Sequence, residues 1–387
     1  MVVDDSAVIR GLITRMLEGD PEISVVASVG NGQLAVNSLE RNPKSIDVII
    51  LDIEMPVMDG LTALPLLLKI DPNVKVIMAS TLTKRNAEIS LRALSAGATE
   101  YVPKPSTARD LSGENDFKGE LLNKVKSLGV IHRRQTGQPI GARPAPAAPA
   151  ARPAAAPAAR PAPGAVPTKP ADPGTLQRWE KRHQGQVTLR PAGTAKPDIL
   201  AIGSSTGGPQ ALFDFLKALP KTINLPVVIT QHMPATFTSI LAEHITRMTG
   251  WPCFEAKDGD LLEAGKILLA PGDFHMTVVQ KGPQRVVALN QDAPENFCRP
   301  AVDPMLRSVV KVFGARVFTV ILTGMGNDGE KGSHHVVNAG GTVIAQDEKS
   351  SVVWGMPGAV ATAGLCSAVL PVAELAGYVA NFISRTK

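Results

Sequence analysis

Between about residues 136 and 175 the chain is mostly alanine and proline with scattered arginine, and this stretch constrains the fold more than any other feature. Alanine alone would favour helix, but a proline every few residues removes helical hydrogen bonds and blocks that outcome. Such a segment cannot bury a core, and its composition predicts an extended, semi-rigid tether. Many of the chain's 32 prolines fall there. The 387 residues are enough for two independent cores, one on each side of the interruption. The sequence therefore divides into an N-terminal domain over 1–130, an Ala/Pro/Arg-rich linker over 131–196 and a C-terminal domain over 197–387.

Charge follows the same division. The formal net charge is +5, yet Leu121 to Ala171 hold eight basic residues and no acidic one, which leaves the remainder at −3. The positive charge is thus assigned to the linker, and a basic nucleic-acid-binding face on either domain is not expected. No apolar run reaches the ~20 residues of a membrane helix, and the N-terminus lacks a secretory signal pattern, so a soluble cytoplasmic protein without membrane insertion is expected. Cys253, Cys298 and Cys366 have no metal-ligand or C-x-x-C spacing and are read as buried free thiols.

The N-terminal segment alternates β-like and helical patterns. Strands are predicted at Val2–Val3, Ser24–Val29, Ile46–Leu51, Val74–Ala79 and Thr99–Val102, each followed by a helix. Five such units predict a doubly wound parallel α/β sheet, a flavodoxin-like arrangement. Alternation resumes after Asp198, with strands at Ile199–Ile202, Val227–Thr230, Lys266–Ala270, Val317–Leu322 and Thr342–Ala345. The run from His275 to Leu289 flanks Gly282-Pro283 with two β-rich stretches and predicts an antiparallel hairpin within a mostly parallel second domain.

Chemistry gathers at the predicted strand ends. Asp4 and Asp5 follow strand one and Asp52 follows strand three, where open α/β sheets place their ligands. Three such acids repel one another without a cation, and a hard divalent ion such as magnesium would relieve that and orient a phosphoryl group for attack by Asp52. Ser80 and Lys104, at the ends of strands four and five, supply a hydroxyl and an ammonium for the phosphoryl oxygens. Taken singly, Asp4 suits a helix cap, Ser80 a turn and Lys104 the surface. Together they resemble the receiver domains of bacterial response regulators, through Val3-Asp4-Asp5-Ser6, Asp52 to Gly60 and Lys104-Pro105. The resemblance implies phosphorylation of Asp52 by a histidine kinase, an aromatic switch residue at Tyr101 and a cis peptide at Lys104-Pro105. The short first strand, expected at the sheet centre, predicts that the native chain starts upstream of Met1, which intact mass from the native host would check.

In the second domain, Gly203-Ser204-Ser205-Thr206-Gly207-Gly208 lies between a strand and a helix and satisfies G-x-S-x-G around Ser205. Such a turn exposes a nucleophilic hydroxyl, or cradles a phosphate on backbone N–H groups. His232 follows the next strand and Asp328 follows the strand Val317–Leu322, so a base and its acidic partner are available at neighbouring strand ends. Ser204 and His275 are rivals for the same roles, His275 with an alternative in substrate contact, and Asp328 could instead cap the following helix. The order Ser, His, Asp differs from that of the α/β-hydrolase fold and points to a convergent site.

Residues 197–387 resemble the catalytic domain of the chemotaxis protein-glutamate methylesterases, the CheB type, through Gly203 to Gly208, Gln231-His232-Met233-Pro234, Ala270-Pro271-Gly272, Arg299 to Asp303, Leu322 to Gly329 and Val353 to Pro357. The resemblance implies nucleophile Ser205, base His232, acid Asp328 and an oxyanion site near Thr206 and the Met325 backbone. It further implies hydrolysis of glutamate methyl esters and deamidation of glutamines on chemoreceptors, gated by the receiver, with no cofactor for the esterase. Ser204 and Glu330 stand where small residues are expected. A DNA-binding regulator is disfavoured by the α/β output domain, and a scaffold with a degenerate site by the complete Ser205, His232 and Asp328 set.

Overall fold

A computed structural model of the chain describes residues 1–81, 83–104, 117–139 and 186–386. Two parallel sheets organise it. The first has the strand order β2 (Ser28–Val29), β1 (Val2–Val3), β3 (Val48–Asp52), β4 (Lys75–Ser80), β5 (Glu100–Pro103), all parallel. Helices α1 (Ala7–Glu18), α2 (Gly32–Arg41), α3 (Gly60–Ile70), α4 (Lys84–Ser95) and α5 (Phe117–Thr136) cover its faces. The starts of α1 to α4 are fixed by Ser6, Asn31, Asp59 and Thr83, whose side chains accept N–H groups of the first turn. Strand β3 is buried along its whole length, as its unbroken Val-Ile-Ile-Leu run requires of a strand covered on both faces.

Strand β2 is shorter than its β-like sequence, because β1 offers only Val2 and Val3 to pair with Ser28 and Val29. The Met1 amino group is buried beside them, donates to the Val48 carbonyl at 2.8 Å and is pushed down to about 5 by burial.

The second sheet has seven parallel strands in the order β14 (Ala368–Leu370), β13 (Thr342–Gln346), β12 (Val317–Ile321), β6 (Ile199–Ser204), β7 (Val227–Gln231), β9 (Ile267–Leu269), β8 (Cys253–Glu255). Strands β10 (His275–Lys281) and β11 (Gln284–Asn290) form the antiparallel hairpin the sequence predicts. The helices are α6 (Gly208–Ala218), α7 (Ala235–Thr249), α8 (Val302–Phe313), α9 (Glu330–Asn338), α10 (Met356–Thr362) and α11 (Val372–Arg385). From β6 the chain proceeds to β7 on one side and later returns to β12 on the other. The carboxyl ends of β6, β7 and β12 therefore border the topological switch point, where sheets of this kind open a crevice.

Two sequence expectations change. Helix α5 runs to Thr136, and the Arg190 and Gly193 amides already bond to the Cys366 carbonyl and the Thr342 hydroxyl, so residues read as linker belong to folded structure at both ends. Four of the eight basic residues read as linker charge, Lys124, Lys126, Arg133 and Arg134, sit on α5. There they meet Glu120, Asp20, Asp47 and Glu348. The Lys104-Pro105 bond and most of the Ala/Pro stretch lie outside the described residues. No helix among the described residues is long and apolar enough to cross a membrane.

One apolar cluster is continuous across the two sheets. Helix α4 packs on α6 and α7, and the Tyr101 ring stacks on Phe237 of α7 with centroids 4.3 Å apart. On the other side, Val353 joins the apolar cluster of the first domain, with Met325 and Val352 packed against it.

Candidate active site

The three acids of the first domain lie together at the ends of β1 and β3. Asp4, Asp5 and Asp52 each place a carboxylate oxygen within 4.8 Å of the others, and a hard cation with oxygen ligands suits such a set. Lys104 Nζ lies 2.7 Å from both Asp4 and Asp52. Burial raises the Asp52 carboxyl above its ordinary range, and Lys104 offsets only part of that rise. Ser80 is buried with its hydroxyl 3.2 Å from that of Ser90 on α4. Tyr101 is buried too, and its carbonyl accepts from Lys124 Nζ at 3.0 Å. Tyr101 thus lies between the first sheet and the second domain.

In the second domain Ser205 is reached through a tight turn after β6. Its amide donates to the Thr323 carbonyl at 3.0 Å and its carbonyl accepts from Gly208 at 2.7 Å. Gly207 takes φ 72°, a conformation that favours glycine. Gly324 is required by close approach, since a Cβ there would stand 2.8 Å from the Ser205 Cβ. The rival Ser204 is fully buried and donates to Gln231 at 2.7 Å, while Gln231 Nε2 ties the carbonyls of Ser205 and His232 together. Ser205 is the half-buried hydroxyl at the apex.

His232 Nε2 lies 2.7 Å from Asp328 Oδ2. The imidazole's other nitrogen, Nδ1, faces Cys298 Sγ at 3.3 Å, and Ser205 Oγ makes no hydrogen bond to any described residue. Burial works to lower the imidazole pKa, but the neighbouring Cys298 and the Asp328 bond outweigh it and raise the group to about 10. The sequence reading of Cys298 as an ordinary buried thiol is therefore corrected: Cys253 and Cys366 are buried, whereas Cys298 is half-buried against His232.

Asp328 is fixed by backbone donors. The amides of Val302 and Asp303, at the start of α8, reach it at 2.6 and 3.1 Å, and the N-terminal end of a helix favours negative charge. Asp303 returns the arrangement by accepting the Gly329 and Gly332 amides at the start of α9, at 3.0 and 2.6 Å. Asn296 Nδ2 bridges the two carboxylates at 2.9 and 2.8 Å. Burial would raise Asp328, yet His232 and these amides hold it below its ordinary range. Burial and the neighbouring Asp328 charge push Asp303 up to about 6.

His275 makes no hydrogen bond to Ser205, His232 or Asp328. It is buried, its Nε2 is 3.1 Å from the Ala293 carbonyl and its Nδ1 accepts the Ala301 amide, so it pins the loop that carries Asn296 and Cys298. That loop turns tightly at Asn296 (φ 51°) and Phe297 (φ 64°), anchored by the Glu295–Arg307 ion pair. Among the described residues the amides of Thr206 and Met325 donate to no protein acceptor, which leaves two N–H groups beside Ser205 and Gly324 for a ligand oxygen. Sequence reading missed the roles of Gln231, Asn296, Cys298 and Asp303. Its pointers were the blocks Gln231 to Pro234 and Arg299 to Asp303, neither of which includes Asn296 or Cys298.

A receiver sheet with an acidic cluster and lysine, docked on a parallel-sheet domain with a histidine–aspartate pair at its switch point, defines a response regulator with an α/β output domain. Residues 1–114 match the response regulator receiver domain and residues 200–379 match the CheB methylesterase domain. The chain is 58% identical over 393 residues to a protein-glutamate methylesterase/protein-glutamine glutaminase of Azospirillum brasilense, covering 100% of this chain and 92% of that one. It is 59% identical over 387 residues to a protein of that description from Rhodospirillum centenum, covering 100% and 94%. The crystal structure of the Thermotoga maritima CheB methylesterase catalytic domain is 38% identical, with TM-score 0.47 over 48% of this chain and 98% of that one. The chain belongs to the protein-glutamate methylesterase/protein-glutamine glutaminase family.

Proposed function

We propose that the chain is a cytoplasmic, phosphorylation-activated esterase that hydrolyses glutamate γ-methyl esters, and deamidates glutamines, on chemoreceptors during adaptation. The 2.7 Å bond between His232 and Asp328, at the strand ends that also carry Ser205, supports this reading most strongly. Ser205 Oγ attacks the ester carbonyl and passes its proton to His232. The oxyanion takes the free amides of Thr206 and Met325. Methanol leaves with the proton from His232, or ammonia when the substrate is an amide, and water then hydrolyses the acyl-enzyme by the same route. With Nε2 engaged by Asp328, Nδ1 is the nitrogen left to handle the proton, the reverse of the usual serine-protease assignment.

Control rests on Asp52, which accepts a phosphoryl group from a histidine kinase. Asp4, Asp5 and Asp52 would hold magnesium, which supplies charge neutralisation and orientation at the phosphoryl group. Ser80 and Lys104 contact the transferred oxygens, and Tyr101 carries the change to Phe237. Packing of Val353 against the receiver restrains the site mouth in the unphosphorylated chain.

The test is methanol release from methylated receptor membranes, with and without magnesium and a small phosphodonor. Ser205→Ala is expected to abolish release, by on the order of 10³-fold or more. Asp52→Ala, or chelation of magnesium, is expected to leave basal release and remove its stimulation. Full activity in Ser205→Ala would sink the nucleophile assignment, and equal rates with and without phosphodonor would sink the gating.

A further inference from the structure

The nitrogen of His232 that must take the serine proton is already occupied. Nε2 is committed to Asp328, an acid immobilised by three backbone amides and Asn296. Nδ1 faces Cys298 Sγ at 3.3 Å, while Ser205 Oγ has no hydrogen bond among the described residues. Cys298 does not reach this position by chance of a loose loop. The turn closes with paired backbone bonds between Glu295 and Cys298 at 3.1 and 2.9 Å, Arg307 grips Glu295, Arg299 holds the Gln291 and Asp292 carbonyls, and His275 pins both ends.

We propose that Cys298 is a positioning residue of the esterase: in the resting enzyme its thiol occupies Nδ1 of His232, and the imidazole must exchange Cys298 for Ser205 before it can act as a base. This rests on the assignment of Ser205, His232 and Asp328 above. The groups that act on the imidazole are Asp328 on one side and Cys298 on the other, with Asp303 behind Asp328. Beyond Cys298 stands Lys124 of the receiver. Burial alone would lower that ammonium, but Glu100, Glu120 and Cys298 together hold it above its ordinary range. Lys124 Nζ also binds the Tyr101 carbonyl, so the contact that parks the base is within electrostatic reach of the receiver's switch residue.

The Cys298 sulfur at Nδ1 and the Asp328 carboxylate at Nε2 both favour a proton on the imidazole, and removing the sulfur frees the base at lower pH. Below its pKa, the neutral fraction of a base grows about tenfold for each unit by which that pKa falls.

Two measurements test the proposal. In the first, nitrogen NMR of histidine-labelled full-length Ser205→Ala enzyme follows the His232 titration with and without Cys298→Ala. A downward move of about one pH unit or more is expected, and an unchanged midpoint would overturn the proposal whether or not the chain is an esterase. In the second, the pH profile of basal methanol release is compared for wild type, Cys298→Ala and Cys298→Ser, each checked for an unchanged melting temperature. Cys298→Ala is expected to shift the acidic limb to lower pH and raise the rate near pH 7 by roughly tenfold, with the hydroxyl of Cys298→Ser giving an intermediate profile. A rate change with an unmoved limb would reduce Cys298 to a packing residue and refute its effect on the base. If wild type releases no methanol, the esterase assignment fails in this second assay alone.

Discussion

Asp303 and Asp328 lie side by side, each capping the helix that carries or follows the other, and both are removed from solvent. Burial and the neighbouring Asp328 charge together raise Asp303 to about 6 in the folded chain against an ordinary 3.8. Between those values the folded chain holds a proton that the unfolded chain has released. Stability from this group is therefore lost as pH rises through that window and stays lower above it. Asp303→Asn keeps an acceptor for Gly329 and Gly332 while removing the charge. It is expected to be more stable than wild type at pH 8, by on the order of 1–3 kcal/mol, and to lose that advantage progressively as pH falls from about 6 to below 3.8. Thermal melts across that range check this, and an equal gain at both ends would exclude repulsion as the cause. At this scale the sequence was legible where a motif sits on a strand end, as with Ser205, His232 and Asp52. It was silent on Asn296 and Cys298, because nothing in their spacing says that the loop after β11 folds back over β7 and β12.

Helix α5 is tied to the first sheet at the end opposite the acidic cluster. His132 is fully buried, with Nδ1 2.9 Å from Asp47 and Nε2 3.1 Å from Asp71, and Arg133 binds the same Asp47. Burial would lower the imidazole pKa, but the two carboxylates outweigh it and raise it above the ordinary 6.5. The clamp thus contributes fully below the unfolded value and is lost as pH rises through the folded one. His132→Ala is expected to lower stability by about 2–3 kcal/mol at pH 6 and by clearly less at pH 9, read from denaturant midpoints. A cost independent of pH would mean that packing alone holds α5. Periodicity revealed α5 through Leu121, Leu122, Val125 and Leu128, yet the same pattern could not reveal where it stops. The missed strands β8 and β14 are three residues each, too short to leave a period of their own.

The two domains meet through α4, α6 and α7, with Tyr101 stacked on Phe237 at an interplanar angle of 16°. No motif announced this contact, since Phe237 reads as one more apolar residue of an amphipathic helix. An aromatic pair adds ~0.5–1.5 kcal/mol beyond burial. Phe237→Leu, which keeps most of the volume, is accordingly expected to raise basal methanol release about two- to tenfold and to shrink the stimulation by phosphodonor. Unchanged basal release in a variant with wild-type melting would remove the stack from the gating path.

Because Tyr101 and Phe237 belong to one polypeptide, their association is a unimolecular event. The fraction of molecules in the docked state is then the same at any protein concentration, and a surge or fall in copy number leaves it untouched. Only a change in free energy within the molecule can move it. A receiver supplied on a separate chain would instead dissociate on dilution and leave the hydrolase unrestrained when the protein is scarce.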